Sequence, residues 1–201
     1  MMPKIKTARQ INKTDWSHKY KICVSGSASM RVCGIDAKNK AILLGEEIAR
    51  HGAVITSGAT TGFPYWSSFG AKRVGGVSIG ISPAVTEVEH VKKYHLPTDT
   101  FDLIIYTGSG YSGRNLLLTR SSDAVILGCG RIGTINEFTT AFEDKKPIGV
   151  LEGEWTLDET LKKILEDAKR GTSAGIVFDS DPVALVQKII FLIDKKKKHS
   201  K

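Results

Sequence analysis

A chain of 201 residues with 41% hydrophobic content is long enough for one well-buried domain and too short for two comfortable ones. No apolar run approaches a membrane span and no signal-like apolar segment opens the chain, so a cytoplasmic protein without a membrane partner is expected. The net charge of +8 sits at the two ends, residues 1–21 and the lysine-rich 195–201, around a near-neutral body. That pattern reads as solvated tails, and nucleic acid is not the expected partner.

Cys23, Cys33 and Cys129 are odd in number and form no close pair. That argues against a disulfide framework or a zinc site and suits a reducing compartment. Cys129 lies beside an expected helix N-terminus, where a thiolate is stabilised, but no His adjoins it for nucleophilic work.

Residues 1–19 read as a polar arm with Trp16 as its one large anchor. Tyr20 to Val24 is the first expected strand. It runs into Ser25-Gly26-Ser27-Ala28-Ser29, which is either a nucleotide-binding first loop or a plain tight turn. A helix over 37–51 ends at Gly52, and a strand over 53–56 leads into the second glycine loop, Ser57 to Gly62. Pro64 suits the first turn of the helix that follows. Tyr65 and Trp66 there can stack on a base, but packing is the favoured reading. A third strand over 77–81 precedes a polar stretch, 84–100, read as an irregular loop carrying His90 and His95. Five apart, with no carboxylate partner pattern, these read as solvated histidines rather than metal ligands. A fourth strand over 102–106, a sixth over 148–151 and a seventh over 174–178 alternate with helices over 157–168 and 182–193. The whole reads as an α/β, doubly wound, mostly parallel sheet, a Rossmann-like three-layer sandwich spanning 20–194.

The stretch from Gly108 to Glu143 organises the rest. A helix over 113–122 carries Arg114, a buried strand spans 124–127, and Gly128-Cys129-Gly130-Arg131-Ile132-Gly133 opens a helix starting at Thr134. A strand feeding a glycine turn that opens a helix aims backbone N–H groups and the helix dipole at one anion-sized spot. Arg114, one helix upstream, is expected near the same pocket, since ligands gather at the carboxyl ends of parallel strands. Thr134-x-x-Glu137 is also the pattern of a capping box, in which the Glu only ties back the helix start. Residue types alone leave both readings standing.

With these residues in view, the chain resembles the Lonely Guy family of the SLOG superfamily, often labelled lysine decarboxylase-like. That family pairs a PGGxGTxxE loop with an Arg on the preceding helix. Here Cys129-Gly130-Arg131-Ile132-Gly133-Thr134-Ile135-Asn136-Glu137 takes the loop's place, with Cys129 for the Pro, Arg131 for the second Gly, and Asn115 where a Lys often follows the Arg. The chain also resembles the molybdenum-cofactor carrier branch and does not resemble a pyridoxal-phosphate decarboxylase.

The resemblance implies a nucleoside 5′-monophosphate phosphoribohydrolase, with Glu137 and Arg114 as its catalytic side chains. Gly26, Ser27, Gly58, Gly62, Gly130, Arg131, Ile132, Gly133 and Thr134 would hold phosphate or nucleotide. A non-catalytic nucleotide or cofactor carrier is the alternative, and a DNA-associated role a weaker third. No redox cofactor or metal is required by these readings. A bound nucleotide or phosphate is the expected ligand, and a homodimer or larger homo-oligomer the expected assembly.

Overall fold

The computed structural model describes residues 20–168 and 175–199. The arm over 1–19, with Trp16, lies outside them. Seven strands form one sheet in the order β4-β3-β2-β1-β5-β6-β7, with every pairing parallel. The strands are β1 Lys21–Ser25, β2 Val54–Ser57, β3 Ser78–Ser82, β4 Leu103–Tyr106, β5 Ala124–Leu127, β6 Ile148–Leu151 and β7 Ile176–Asp179. The central strands read as near-continuous apolar runs because both faces are covered, and Ile22, Val24, Ile55, Ile126 and Leu127 are fully buried.

The helices are α1 Ala37–Arg50, α2 Phe63–Arg73, α3 Glu87–Lys92, α4 Gly110–Ser121, α5 Ile132–Glu143, α6 Leu157–Asp167 and α7 Pro182–His199. α1 packs against α2 and α7, and α4 packs against α5. α6 flanks α5 across a groove lined by Phe138, Phe142, Ile164 and Leu165. This is the expected three-layer, doubly wound sandwich. α7 continues to His199, so the lysines from 195 to 198 extend a helix rather than form a separate tail.

Two expectations change. The stretch read as an irregular loop holds α3. Thr86 Oγ1 accepts the Glu89 N–H at 3.2 Å and the Glu89 carboxylate accepts the Val85 N–H at 2.7 Å, a near-capping-box arrangement. The Thr134 helix begins two residues early, at Ile132.

Strand order reverses direction between β1 and β5. Their loops therefore diverge to opposite sides and leave a crevice at the carboxyl ends, where open α/β sheets place ligands.

Candidate functional site

Three loops meet over that crevice and are stitched together by main-chain bonds. The Ser27 N–H donates to the Cys129 carbonyl at 2.6 Å, the Gly128 N–H to the Ser25 carbonyl at 3.0 Å, and the Phe63 N–H to the Ser27 carbonyl at 2.9 Å. The cleft they bound has a volume of about 680 Å³, within the range of small-molecule sites. Its walls include Gly26, Ser27, Gly58, Arg114 and Glu137, together with the run Arg131-Ile132-Gly133-Thr134.

The first turn of α5 forms one wall. Arg131 is the cap residue and is extended, with no side-chain cap bond. Ile135 is the first residue of the helix whose N–H reaches back, to the Arg131 carbonyl at 3.1 Å. The N–H groups of Ile132, Gly133 and Thr134 are thus the open donors of the helix start, and the dipole adds partial positive charge there. A Cβ built on Gly133 meets nothing within 4 Å, so that turn is open to a ligand.

The capping-box reading of Thr134 and Glu137 does not hold. Glu137 Oε2 instead accepts a short hydrogen bond from Ser25 Oγ at the end of β1. Its side chain is 6% exposed. Burial raises its pKa, opposed by the nearby Arg114 charge and the Ser25 bond. Arg114, on α4, is 7% exposed, and its Nε finds no hydrogen-bond partner among the described residues. Burial lowers its pKa, with Glu137 opposing through space. Its Nε–H is a buried donor with no acceptor among the described residues.

The glycines divide by role. Gly133 is open, whereas a Cβ on Gly58 would fall 1.3 Å from Arg114 Nη1. The second glycine loop therefore makes room for the arginine. Gly128 and Gly26 accommodate the Phe63 ring and Gly130 the Thr134 side chain. Gly62 and Gly130 do not line the cleft, while Gly26, Ser27, Gly58, Arg131, Ile132, Gly133 and Thr134 do.

Several residues were placed differently by sequence reasoning. His90 is fully buried, bonded to Ser82 Oγ at 2.9 Å and the Pro97 carbonyl at 3.0 Å, so it is not solvated. His95, with Tyr94, Leu96 and Tyr111, lines the cleft. Only the unusual length of the loop hinted at that role. Tyr65 and Trp66, by contrast, pack outside the cleft in line with the favoured sequence reading, Tyr65 donating to Asp99 at 3.0 Å and Trp66 edge-on to Phe69. Asn115 lines the cleft and donates to Asn136 Oδ1 at 3.1 Å.

The cysteine expectation is also corrected. Cys33 and Cys129 form a disulfide, with a Cα–Cα distance of 5.4 Å and a separation of 96 residues. It ties the segment after β1 to the glycine turn after β5. Both sulfurs are buried, and no short sequence spacing reports the pair. The odd, scattered cysteine set therefore no longer argues for a reducing compartment. Among the described residues no helix is long and apolar enough to cross a membrane, and no cluster of His, Cys, Asp and Glu converges as for a metal.

Two outcomes follow from this geometry. Alkylation of unfolded, unreduced protein is expected to label one thiol, Cys23, and all three after reduction, as counted by mass spectrometry. Three labels before reduction would remove the tether. Because the Glu137 pKa is raised on folding, its contribution to stability is intact below the unfolded value of 4.5 and is lost as pH climbs through the higher folded value. Glu137→Gln keeps the shape and the hydrogen bond to Ser25. It is expected to outlast the wild type in urea at pH 8, the gap closing near pH 4; equal midpoints at both pH values would contradict the shift.

Similar structures include a molybdenum cofactor binding protein from Rippkaea orientalis, 28% identical, TM-score 0.69, matched over 87% of this chain and 99% of that one. The molybdenum cofactor carrier protein of Chlamydomonas reinhardtii is 25% identical, TM-score 0.71, over 88% and 99%. An uncharacterized protein of Archaeoglobus fulgidus is 33% identical over 120 residues, 60% of this chain and 74% of that one. The model of the SLOG cluster4 family matches residues 19–186. A crevice at the strand reversal, walled by an open helix N-terminus, is thus set in a chain that belongs to the SLOG cluster4 family.

Proposed function

We propose that this protein binds and holds a phosphorylated small molecule, a nucleotide or nucleotide-like cofactor, in the cleft between the β1 and β5 loops. The observation that carries the reading is buried Arg114, its Nε without an acceptor among the described residues, lining the same cleft as the open first turn of α5. Both features favour the same ligand charge. Gly133 lets a phosphate approach the main chain, Thr134 adds a hydroxyl, and Ser27 and Arg131 close the sides. The likeness to proteins that bind or carry the molybdenum cofactor favours holding over turnover.

A second reading is favoured by Glu137. A carboxyl group at the cleft floor beside Arg114 is the arrangement a phosphoribohydrolase of the Lonely Guy type would use. Glu137 would stabilise positive charge developing on ribose while the α5 turn holds the 5′-phosphate. The lysines at the end of α7 bear on neither reading, because Lys197 pairs with Asp123 at 3.5 Å, at the opposite end of the sheet from the cleft.

A homodimer fits the exposed face beside the β4 edge. Thr56 Oγ1 meets Ser122 Oγ at 2.7 Å, so Thr56 faces α4. Register then carries that face through Ile79 to Leu103. Leu103 and Ile105 on this edge strand and Leu116 and Leu117 on α4 are all exposed, Leu103 by 55%. A two-fold partner presenting the same surface would cover them.

Calorimetry with a panel of nucleoside 5′-monophosphates and inorganic phosphate tests the ligand reading. Arg114→Met, which keeps buried volume but removes the donor fork, is expected to weaken binding by about ten- to a hundredfold, the scale of one charged hydrogen bond. Unchanged affinity would refute it. Chromatography of the same mixtures should show no free base, and base release that vanishes in Glu137→Gln would install the hydrolase instead. Light scattering is expected to return at least twice the 21.9 kDa chain mass, falling to one chain in Leu103→Lys.

A further inference from the structure

The basic residues lie at two ends of the sequence, and the fold brings those ends together. The Tyr20 hydroxyl donates to Asp194 on α7, 174 positions away, and the Lys197 ammonium lies 4.1 Å from the centre of the Tyr20 ring. Beside that junction, at the amino ends of the strands and away from the cleft, is a second concavity of about 330 Å³. Five cationic side chains line it, Lys21, Arg120, Lys146, Lys196 and Lys197, against the one carboxylate of Asp123. They are supplied by the start of β1, the end of α4, the turn before β6 and the end of α7.

We infer that this pocket is the centre of a surface that binds the phosphate backbone of nucleic acid, independently of any ligand held in the cleft. The fold sets where its charges stand. On α7, Ile193, Lys196 and Lys197 share one face by helical spacing, and Ile193 is buried, which fixes that face against the body. Lys146 is half-buried and donates to the Arg120 carbonyl at 3.1 Å and to the Ser122 carbonyl. Burial lowers its pKa and the Lys196 charge lowers it further, with Asp144 and Asp123 opposing. Like charges are thus crowded into one recess.

Little acid answers them. Lys21 and Lys197 share Asp123, at 3.0 and 3.5 Å, and Arg120 pairs with Asp144 at 3.1 Å. The cations of these pairs are exposed, and such pairs contribute little, so a phosphate oxygen can replace a carboxylate at small cost. Residues 1–19 join the body at Tyr20 and hold five Lys or Arg against one Asp, so further positive charge is tethered beside the same pocket.

Cations converging from separate elements suit phosphates that repeat along a backbone. No aromatic side chain lines the pocket, so the contact is to phosphate and sugar, without base readout. A flat anionic membrane fits less well, because the cations line a recess and Ile193, its one apolar lining residue, is buried.

Fluorescence anisotropy tests this, with the full chain titrated onto a labelled duplex of about 20 base pairs between about 50 and 200 mM salt. A dissociation constant of about micromolar is expected at the low end, with a log–log salt slope of about −3 to −4. Lys196→Gln combined with Lys197→Gln, both exposed, is expected to weaken binding about tenfold and to flatten the slope by about two, one per lysine. Arg114→Met in the cleft should change neither quantity, nor should Lys92→Gln combined with Lys163→Gln, two exposed lysines outside the pocket. Absence of binding at about 50 mM salt, an unchanged slope in the Lys196 and Lys197 variant, or an equal loss in either control would overturn the inference. Binding to phosphatidylserine vesicles with none to the duplex would also overturn it and give the surface to a membrane.

Discussion

A guanidinium buried in a protein interior costs free energy unless another group answers its charge. Arg114 is in that state. Its head lies against Gly58 with no room for a side chain between them, its Nε has no acceptor among the described residues, and Glu137 influences it through space while bonding to Ser25. The fold supports this with a fixed frame. β1 and β5 lie side by side in register, Ser25 opposite Leu127, and main-chain bonds close the loops that leave them. The disulfide between Cys33 and Cys129 adds a covalent tie at the same place. A frame of this stiffness keeps the arginine and the α5 amides pointed at a common volume before any ligand arrives, which lowers the ordering cost of binding.

The glycines illustrate how that frame is made. A glycine-rich loop suggests bare backbone offered to a ligand, and Gly133 does lie open in the cleft wall. At Gly58, Gly26 and Gly128 the missing side chain serves the protein instead, giving space to Arg114 and to the Phe63 ring. Phe63 in turn stacks edge-on to Trp155, with centroids 6.2 Å apart, coupling the loops to the α/β core. The turn after β5 is thus part ligand surface and part packing joint.

Periodicity made the fold legible: strands such as Ala124–Leu127 and Ile148–Leu151 are unbroken apolar runs, and helices such as α6 repeat Leu161 and Leu165 inward. The cleft wall from Arg131 to Thr134 and the buried pair Arg114 and Glu137 were readable because their spacing along a strand–turn–helix unit fixes where they project. What escaped depends on contacts remote in sequence. Cys33 and Cys129 are 96 residues apart, and no local pattern brings them together. The burial of His90 needs Ser82 and Pro97 on either side of it. The helix over 87–92 did carry a local signal in Thr86 and Glu89, but its polar face masked it. The contact between Tyr94 and Tyr111 likewise forms only in the folded chain.

The protonation of Glu137 separates holding from cleaving. To stabilise a cationic sugar the carboxyl must be ionised, yet burial already raises its pKa, and Arg114 is the main charge pulling it down. A phosphate seated on Arg114 would neutralise that pull and add negative charge of its own, so ligand entry drives Glu137 toward its neutral form. A neutral carboxylic acid in a closed site is a hydrogen-bond donor, well suited to gripping a hydroxyl or a ring nitrogen and poorly suited to an oxocarbenium-like transition state. Hydrolysis would require Arg114 to stay turned toward Glu137 while the α5 amides alone held the phosphate. With Arg114 Nε without an acceptor among the described residues and Arg114 lining the cleft, the partner that Arg114 takes is what separates the two proposed readings.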